Sequence, residues 1–182
     1  MRKNIYSVTL IGLGNIGFKY DIRYKAKKTN MSHASSINQH PNYNLLCGID
    51  LKRKNRKEFE KYYGVPTFKK FGDSVLEHKP DIIIVSVNTK YDKKIIKEII
   101  NKYKPICILI EKPMGSNLND ATTIHNLCKK NQIKLRVNYP RVCDSNLRKI
   151  KEKYISNNII FNTGSVFYSK GILHNGSHFI NL

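Results

Sequence analysis

The feature that most constrains the fold is the segment 5–17, an apolar run that ends in three closely spaced glycines. Its sequence is IYSVTLIGLGNIG, and the glycines are Gly12, Gly14 and Gly17. A strand buried in a parallel sheet is a continuous apolar run, and a glycine cluster marks where such a strand stops and turns. The segment therefore predicts a first parallel strand, a tight turn and a following helix.

The spacing of the three glycines matches the dinucleotide-binding motif G-x-G-x-x-G. In that motif the first glycine makes the turn, the second lets the backbone approach a pyrophosphate, and the third lets the helix pack on the strand. The helix N-terminus adds N–H groups and about half a positive charge for the anion. Three glycines alone are a weak signal, so the motif needs support from the rest of the chain.

Asp50 gives that support because it directly follows a second apolar run, Leu45–Ile49. An acid at the tip of the second strand accepts hydrogen bonds from an adenosine ribose. The alternative is a structural glycine turn with an unrelated surface aspartate. Together the glycines and the acid favour a dinucleotide site.

An insertion separates the two parts of this motif. The usual spacing from motif to acid is about 20 residues, and the surplus lies in residues 18–44. The stretch 19–28 is polar and basic without a clean helical pattern, which predicts an inserted, solvent-exposed loop before a helix that begins near Ser32. A loop that flanks the cofactor is the alternative.

The net charge of the chain is strongly positive, at +20 from 33 basic and 13 acidic side chains. Such a charge suggests an anionic partner: nucleic acid, a membrane surface or a phosphorylated substrate. The basic residues are nevertheless scattered, and the abundance of Ile, Lys, Asn and Tyr resembles a genome-wide residue bias. We therefore expect no specific nucleic-acid partner.

The four cysteines, Cys47, Cys107, Cys128 and Cys143, have no CxxC spacing. They are predicted to be free thiols in a reducing compartment. No segment reaches the ~20 apolar residues of a membrane span, and glycines interrupt the early apolar run where a signal peptide would continue. We expect a cytoplasmic protein without a membrane partner.

The rest of the chain alternates apolar runs with helical patterns. The further predicted strands cover residues 65–68, 81–87, 106–110 and 134–139. The predicted helices cover residues 52–63, the region of Ile95–Ile100 and a segment that starts at Asn119 or Asp120. This alternation predicts an α/β fold with a doubly wound parallel Rossmann sheet, whose ligands bind at the carboxyl ends of the strands.

Lys112 is a candidate that follows from this topology. The fifth strand ends in Glu111-Lys112-Pro113, at the same sheet edge as the glycine turn and Asp50. A lysine there faces the place where the nicotinamide end of a dinucleotide would lie. An ordinary surface lysine beside a turn proline is the alternative.

Five sequence features in one order resemble a known family, the glucose-fructose oxidoreductase, inositol dehydrogenase and MocA family. They are Gly12–Gly17, Asp50, Glu111-Lys112-Pro113, Asn138-Tyr139-Pro140-Arg141 and Gly176-Ser177-His178. The Glu-Lys-Pro at the end of the fifth strand is the most specific of them. The resemblance covers essentially the whole chain and implies an NAD(P)-dependent oxidoreductase, without a metal ion, that is a homo-oligomer in full-length members.

The resemblance also implies a role for each matched position. The implied cofactor-binding residues are Gly12, Gly14, Asn15, Ile16, Gly17, Asp50, Ser86, Asn88, Glu111 and Lys112. The implied catalytic pair is Lys112, beside the hydroxyl that is oxidised, and His178, near the start of a second domain. The surroundings of a lysine or a histidine can tune it to exchange a proton near neutral pH, which suits a reaction in which hydride leaves carbon and a proton leaves oxygen. A structural role for His178 is the alternative.

Two departures from the family pattern bear on the substrate and on the proton path. His174 stands where the family often has an aspartate, four residues before His178. Asn88-Thr89 and Asp92 stand where the family commonly has Pro-Asn and a later histidine. Cofactor binding is expected in spite of these changes.

The predicted domains are a dinucleotide-binding Rossmann domain at 1–144 and a linker helix with the first strands of a substrate domain at 145–182. Two strands and the start of a helix cannot bury a sheet face. We therefore expect a truncated chain that turns over little or no substrate.

Three functions remain open at this point. The first is hydride transfer between NAD and a hydroxyl of a sugar, polyol or nucleotide-linked sugar, with NADP as a less favoured cofactor because Asp50 repels a 2′-phosphate. Lys52 and Arg53 could still accommodate that phosphate. The second is a catalytically inactive nucleotide-sensing module, and the third is a basic nucleic-acid binder.

Overall fold

A computed structural model describes residues 4–23, 31–73 and 78–157, and residues 165, 167, 169, 171, 172, 176 and 177 beyond them. The chain divides into two compact units, residues 1–136 and residues 137–182. The division at residue 144 into a cofactor domain and a substrate domain stays a prediction. The predicted strands after residue 158 lie almost entirely outside the described residues.

Six strands form one sheet, as the alternating pattern predicts. Their bounds are β1 Tyr6–Ile11, β2 Tyr43–Ile49, β3 Thr67–Phe68, β4 Ile82–Val85, β5 Cys107–Glu111 and β6 Lys134–Asn138. The strand order is β3-β2-β1-β4-β5-β6, and the pairs β1–β2, β1–β4, β2–β3 and β4–β5 are parallel. The order reverses between β1 and β4, which is the topological switch point of a doubly wound fold. The predicted fold class is confirmed.

Helices connect the strands. They are α1 Tyr20–Arg23, which continues a π-helical turn at Asn15–Lys19, then α2 His33–Gln39, α3 Arg53–Tyr63, α4 Asp92–Lys102, α5 Leu118–Lys130 and α6 Ser145–Ser156. Short 3₁₀ turns lie at Thr89–Tyr91 and Pro140–Cys143. Within the described residues, no helix is both long enough and apolar enough to cross a membrane.

The helix ends follow ordinary capping chemistry. Ser32 caps α2 through a reciprocal pair of hydrogen bonds with Ser35. Gly64 ends α3 in the left-handed conformation with φ of 68°, where glycine carries no Cβ penalty. Asn117 caps α5 by accepting a hydrogen bond from the Asp120 amide. These boundaries agree with the sequence prediction to within a few residues.

The predicted loop at 19–28 is wrong at its start, because Lys19 and the residues of α1 are helical. The reason is tertiary. Asp21 is buried, and its carboxylate accepts hydrogen bonds from the hydroxyls of Ser32 and Tyr63. Residues 24–30 lie outside the described part of the chain.

The core beneath the glycine turn is aromatic. Phe18 follows Gly17 directly, is fully buried, and packs edge-on against Phe59 with ring centroids 5.0 Å apart. Tyr63 adds a further ring at 5.7 Å from Phe18. Full burial of a phenylalanine such as Phe18 or Phe59 stabilises the fold by roughly 1.5–3 kcal/mol. The helix after the turn is thereby fixed against α3.

Candidate functional site

The ends of four neighbouring strands place the candidate residues side by side. Ile11 of β1 is level with Ile49 of β2 and with Val85 of β4, and Val85 is level with Ile110 of β5. The next residues along these strands are Asp50, Gly12, Ser86 and Glu111. The glycine turn, the acid and the segment with Lys112 therefore share the carboxyl edge of the sheet.

Two of the three motif glycines are required by close packing. A Cβ at Gly12, where φ is 95°, would lie 2.5 Å from the carbonyl oxygen of Ser86. A Cβ at Gly17 would lie 2.1 Å from the carbonyl oxygen of Gly12. Both contacts are with backbone atoms, which cannot move aside as a flexible side chain could. These positions accept glycine only.

Gly14 differs from the other two because its missing side chain faces open space. A Cβ built there would meet no other atom within 4 Å. Gly14 is also the residue before the first helical turn, and no side chain caps that helix end. The first N–H groups of a helix have no partner within the helix, and Asn15 and Ile16 are exposed. This arrangement leaves room for an anion at the turn.

Asp50 is anchored to the protein by both carboxylate oxygens. Its Oδ2 accepts hydrogen bonds from the Leu13 amide at 2.9 Å and from the Asn55 side chain at 3.0 Å. Its Oδ1 accepts from the Lys52 amide at 2.7 Å. A carboxylate has about four lone-pair sites, so capacity remains for a ribose hydroxyl. Asp50 thus joins the tip of β2 to the glycine turn.

Ser86 and Asn88 follow β4. The Ser86 hydroxyl is buried and donates to the carbonyl oxygen of Gly12 at 2.7 Å. Asn88 is exposed, and its side-chain oxygen accepts from the Lys90 amide at 3.2 Å, which caps the 3₁₀ turn. Ser86 therefore holds the glycine turn in place. The predicted position of both residues beside the nicotinamide stays a prediction.

Glu111 is the last residue of β5 and Lys112 follows it, and both are partly buried at the same edge. The Oε1 of Glu111 lies 2.7 Å from Nε2 of His33, the first residue of α2. The peptide bond between Lys112 and Pro113 is cis. His33 belongs to the candidate site and was missed by sequence reasoning, since a single histidine after an inserted loop carries no motif.

Asp92, which the sequence marked only as a departure from the family pattern, also contacts this segment. It begins α4, is only 2% exposed, and its Oδ2 accepts a hydrogen bond from the Gly115 amide at 3.0 Å. Burial raises the pKa of Asp92 from 3.8 to about 6, the Gly115 hydrogen bond opposes this shift, and the charges of Asp120 and Glu111 add to it. Lys93 pairs with Asp120.

The described residues include most of the predicted site residues. The structure brings Gly12–Gly17, Asp50, Ser86 and the Glu111-Lys112 pair to one sheet edge. His178 and His174 lie outside the described residues. Among the described residues, no group of three or more His, Cys, Asp or Glu side chains could hold a metal ion. The roles of the site residues stay predictions.

Residues 6–139 match the model of an oxidoreductase family with an NAD-binding Rossmann fold, GFO_IDH_MocA. The chain belongs to this family. The resemblance inferred from the motifs is confirmed, and the matched region is an NAD-binding Rossmann domain. No curated protein sequence is significantly similar to the chain.

Solved structures share the fold at low sequence identity. The WlbA dehydrogenase from Bordetella pertussis, in complex with NADH and UDP-GlcNAcA, is 16% identical with a TM-score of 0.74, over 100% of this chain and 55% of that one. Scyllo-inositol dehydrogenase from Lactobacillus casei, with NAD(H) and scyllo-inositol, is 17% identical with a TM-score of 0.68, over 86% and 42%. Myo-inositol 2-dehydrogenase from Lactobacillus plantarum is 18% identical with a TM-score of 0.66, over 85% and 42%. The chain thus spans about half or less of each.

Proposed function

We propose that this chain binds NAD and serves hydride transfer between NAD and a hydroxyl of a sugar, polyol or nucleotide-linked sugar. The observation that carries the proposal is the row of strand ends, in which Asp50, the glycine turn, Ser86 and the Glu111-Lys112 pair follow one another along one sheet edge. A dinucleotide binds along such an edge at the switch point.

The residues at the turn fit the pyrophosphate of NAD. Open space at Gly14 admits the anion, and the amides of Asn15, Ile16 and Gly17 belong to the first helical turn. Asp50 is placed to accept a ribose hydroxyl while it remains tied to Leu13. When bound, the nicotinamide supplies or accepts the hydride, whereas the protein binds and orients the reactants.

Lys112 is proposed to exchange the proton of the substrate hydroxyl, with His178 as its partner. A positioned lysine or histidine contributes typically 10²–10⁴-fold to such a step. The likeness to inositol dehydrogenases and to an enzyme solved with a UDP-sugar acid supports an alcohol on a carbohydrate as substrate. The free cysteines suit a cytoplasmic location.

NAD is proposed over NADP because the carboxylate of Asp50 would repel a 2′-phosphate at that position. Lys52 and Arg53 are exposed beside it. The guanidinium of Arg56 donates to the carbonyl oxygens of Asp50 and Leu51 at 2.8 and 3.0 Å, which favours the loop conformation that presents the carboxylate. Titration of the full chain with NADH and with NADPH therefore should give tighter binding of NADH.

The cofactor site is tested by NADH binding to the full chain, measured by nicotinamide fluorescence. Replacement of Gly14 by Val fills the open space and should weaken binding at least tenfold with little change in folding. Thr122→Val, on the exposed side of α5, is the matched control and should bind as the unaltered chain does. Equal binding by Gly14→Val and the control contradicts the proposed site.

Catalysis is tested separately from binding. The full chain and its Lys112→Ala variant are assayed for reduction of NAD by inositols, free sugars and UDP-sugars. Any turnover shown by the unaltered chain, which we expect to be small, should be lost in the variant, whereas NADH affinity should be kept. Turnover that survives in Lys112→Ala contradicts the role of the lysine.

A further inference from the structure

The segment Glu111–Gly115 carries Lys112 between two polar contacts that come from different helices. At its first residue, Glu111 is 2.7 Å from Nε2 of His33 on α2. At its last residue, the Gly115 amide donates to Asp92 on α4 at 3.0 Å. All of these residues belong to the unit 1–136. The lysine is thus bracketed by contacts on both sides.

Both contacts are shielded from water. The side chains of His33 and Glu111 are 11% and 17% exposed, and Asp92 is 2% exposed. Polar contacts in such surroundings are stronger than those on the surface, where water competes and exposed ion pairs contribute little. The two contacts therefore restrain the segment.

The far end of the segment has little freedom to shift. Gly115 has φ of 74°, and a Cβ there would lie 2.9 Å from Cβ of Asp120. Asp120 is itself paired with Lys93, the neighbour of Asp92 in α4. The end of the segment is therefore packed between α4 and α5.

We propose that His33 and Asp92 are positioning residues that hold the two ends of Glu111–Gly115 and thereby fix the place and the reactivity of the Lys112 amine. Proton transfer needs the exchanging group within hydrogen-bond reach of its partner. A displacement of about 1 Å can cost about 10²-fold in rate. The catalytic importance of the lysine rests on the proposed function, whereas the two contacts that hold the segment do not depend on it.

The burial of Asp92 supports a functional reason for its presence. A carboxylate taken out of water is costly even when it accepts a hydrogen bond, and Asp120 and Glu111 add negative charge nearby. Proteins tolerate such local conflicts mainly at functional sites.

The test measures how fast the Lys112 amine of the full chain reacts with limiting acetic anhydride. The rate is read by mass spectrometry and divided by the rate for Lys130, which is exposed on α5. His33→Phe keeps an aromatic ring but removes the hydrogen-bonding nitrogens, and Asp92→Asn removes the charge. Each should change the ratio at least threefold. His125→Phe and Asp73→Asn, at exposed positions, are the matched controls and should leave it unchanged.

A conservative variant separates positioning from general damage. In His33→Gln the amide nitrogen lies near the place of Nε2, so the ratio should return to within about 1.5-fold of the unaltered chain. In Asp92→Asn, exchange of the Gly115 amide hydrogen should be at least threefold faster, because a charged acceptor binds an N–H more strongly than a neutral one. Far-UV circular dichroism checks that each variant is folded.

Ratios that stay within 1.5-fold in folded His33→Phe and Asp92→Asn overturn the proposal, and a change in one of them alone overturns its two-ended form. If His33→Phe does not fold, Glu111→Gln is used instead, because it weakens the same contact from the side of Glu111. An unchanged labelling ratio in Glu111→Gln counts equally against the proposal. Labelling needs neither cofactor nor substrate. Failure to bind NADH would therefore refute the proposed function, whereas the labelling ratio would still test the roles of His33 and Asp92.

Discussion

The glycine turn and the Glu111–Gly115 segment lie at the same sheet edge but are held in different ways. The turn depends first on close backbone packing, since a Cβ at Gly12 or Gly17 would lie 2.5 or 2.1 Å from a carbonyl oxygen, and the side chains of Asp50 and Ser86 add hydrogen bonds to it. The segment is held by side chains, from residues 78 and 23 positions away in sequence. Backbone fit demands glycine at fixed spacing, whereas a side-chain contact leaves no comparable pattern. Both regions can therefore be recognised in a sequence, but the contacts that hold the second region cannot.

The largest effect is expected at the turn. In Gly17→Ala the new Cβ would meet the carbonyl oxygen of Gly12 at 2.1 Å, which forces the turn or the helix to shift. The free energy of unfolding should fall by about 3 kcal/mol or more, as measured by urea denaturation. Gly14→Ala is the matched control, because its Cβ meets nothing within 4 Å, and it should change stability by less than about 1 kcal/mol. Equal losses in both variants would contradict the account of backbone fit.

The next effect concerns the segment and depends on pH. Burial raises the pKa of Asp92 from 3.8 to about 6, so the folded state binds more protons than the unfolded state between these values. The free energy of unfolding therefore falls as the pH rises through that window, by roughly 3 kcal/mol in all. Asp92→Asn removes this loss of stability, because asparagine carries no charge, and its side-chain oxygen can still accept a hydrogen bond from the Gly115 amide.

Asp92→Asn should consequently be more stable than the unaltered chain at pH 8, with an advantage that fades towards pH 4. Urea denaturation at the two pH values measures it. Asp73→Asn, at an exposed position, should change the free energy of unfolding by the same amount at both pH values. A variant that is less stable at pH 8 would mean that the charged hydrogen bond to Gly115 outweighs the cost of burial. In that case the contact between Asp92 and Gly115 would stabilise the folded chain instead of lowering its stability.

Much of the fold could be predicted because it rests on local patterns. Continuous apolar runs gave the central strands, and helical spacing with caps such as Ser32 and Gly64 gave the helices. The helical start of the inserted stretch was missed, because it depends on the buried contacts of Asp21 with Ser32 and Tyr63. A tertiary contact of this kind overrides local preference.

The candidate site divides along the same line. The glycines, Asp50 and Lys112 could be placed from spacing and strand order. The bond from the Leu13 amide to Asp50 and the contacts of His33 and Asp92 could not, since each joins residues from separate elements. Only the folded chain brings those partners together.

The smallest effect is expected from Ser86, which lies between the two regions and sharpens the comparison. Its hydroxyl donates to the carbonyl oxygen of Gly12 at 2.7 Å, and loss of one such hydrogen bond costs about 1 kcal/mol. Ser86→Ala should therefore lower the free energy of unfolding by about that amount and weaken NADH binding a fewfold, because the turn loosens. The rate at which Lys112 reacts with acetic anhydride, relative to Lys130, should not change, because the contacts that hold the Lys112 segment come from His33 and Asp92. A changed ratio in Ser86→Ala would mean that the turn and the segment are one mechanical unit, and the distinction between backbone fit and side-chain support would fail at this edge.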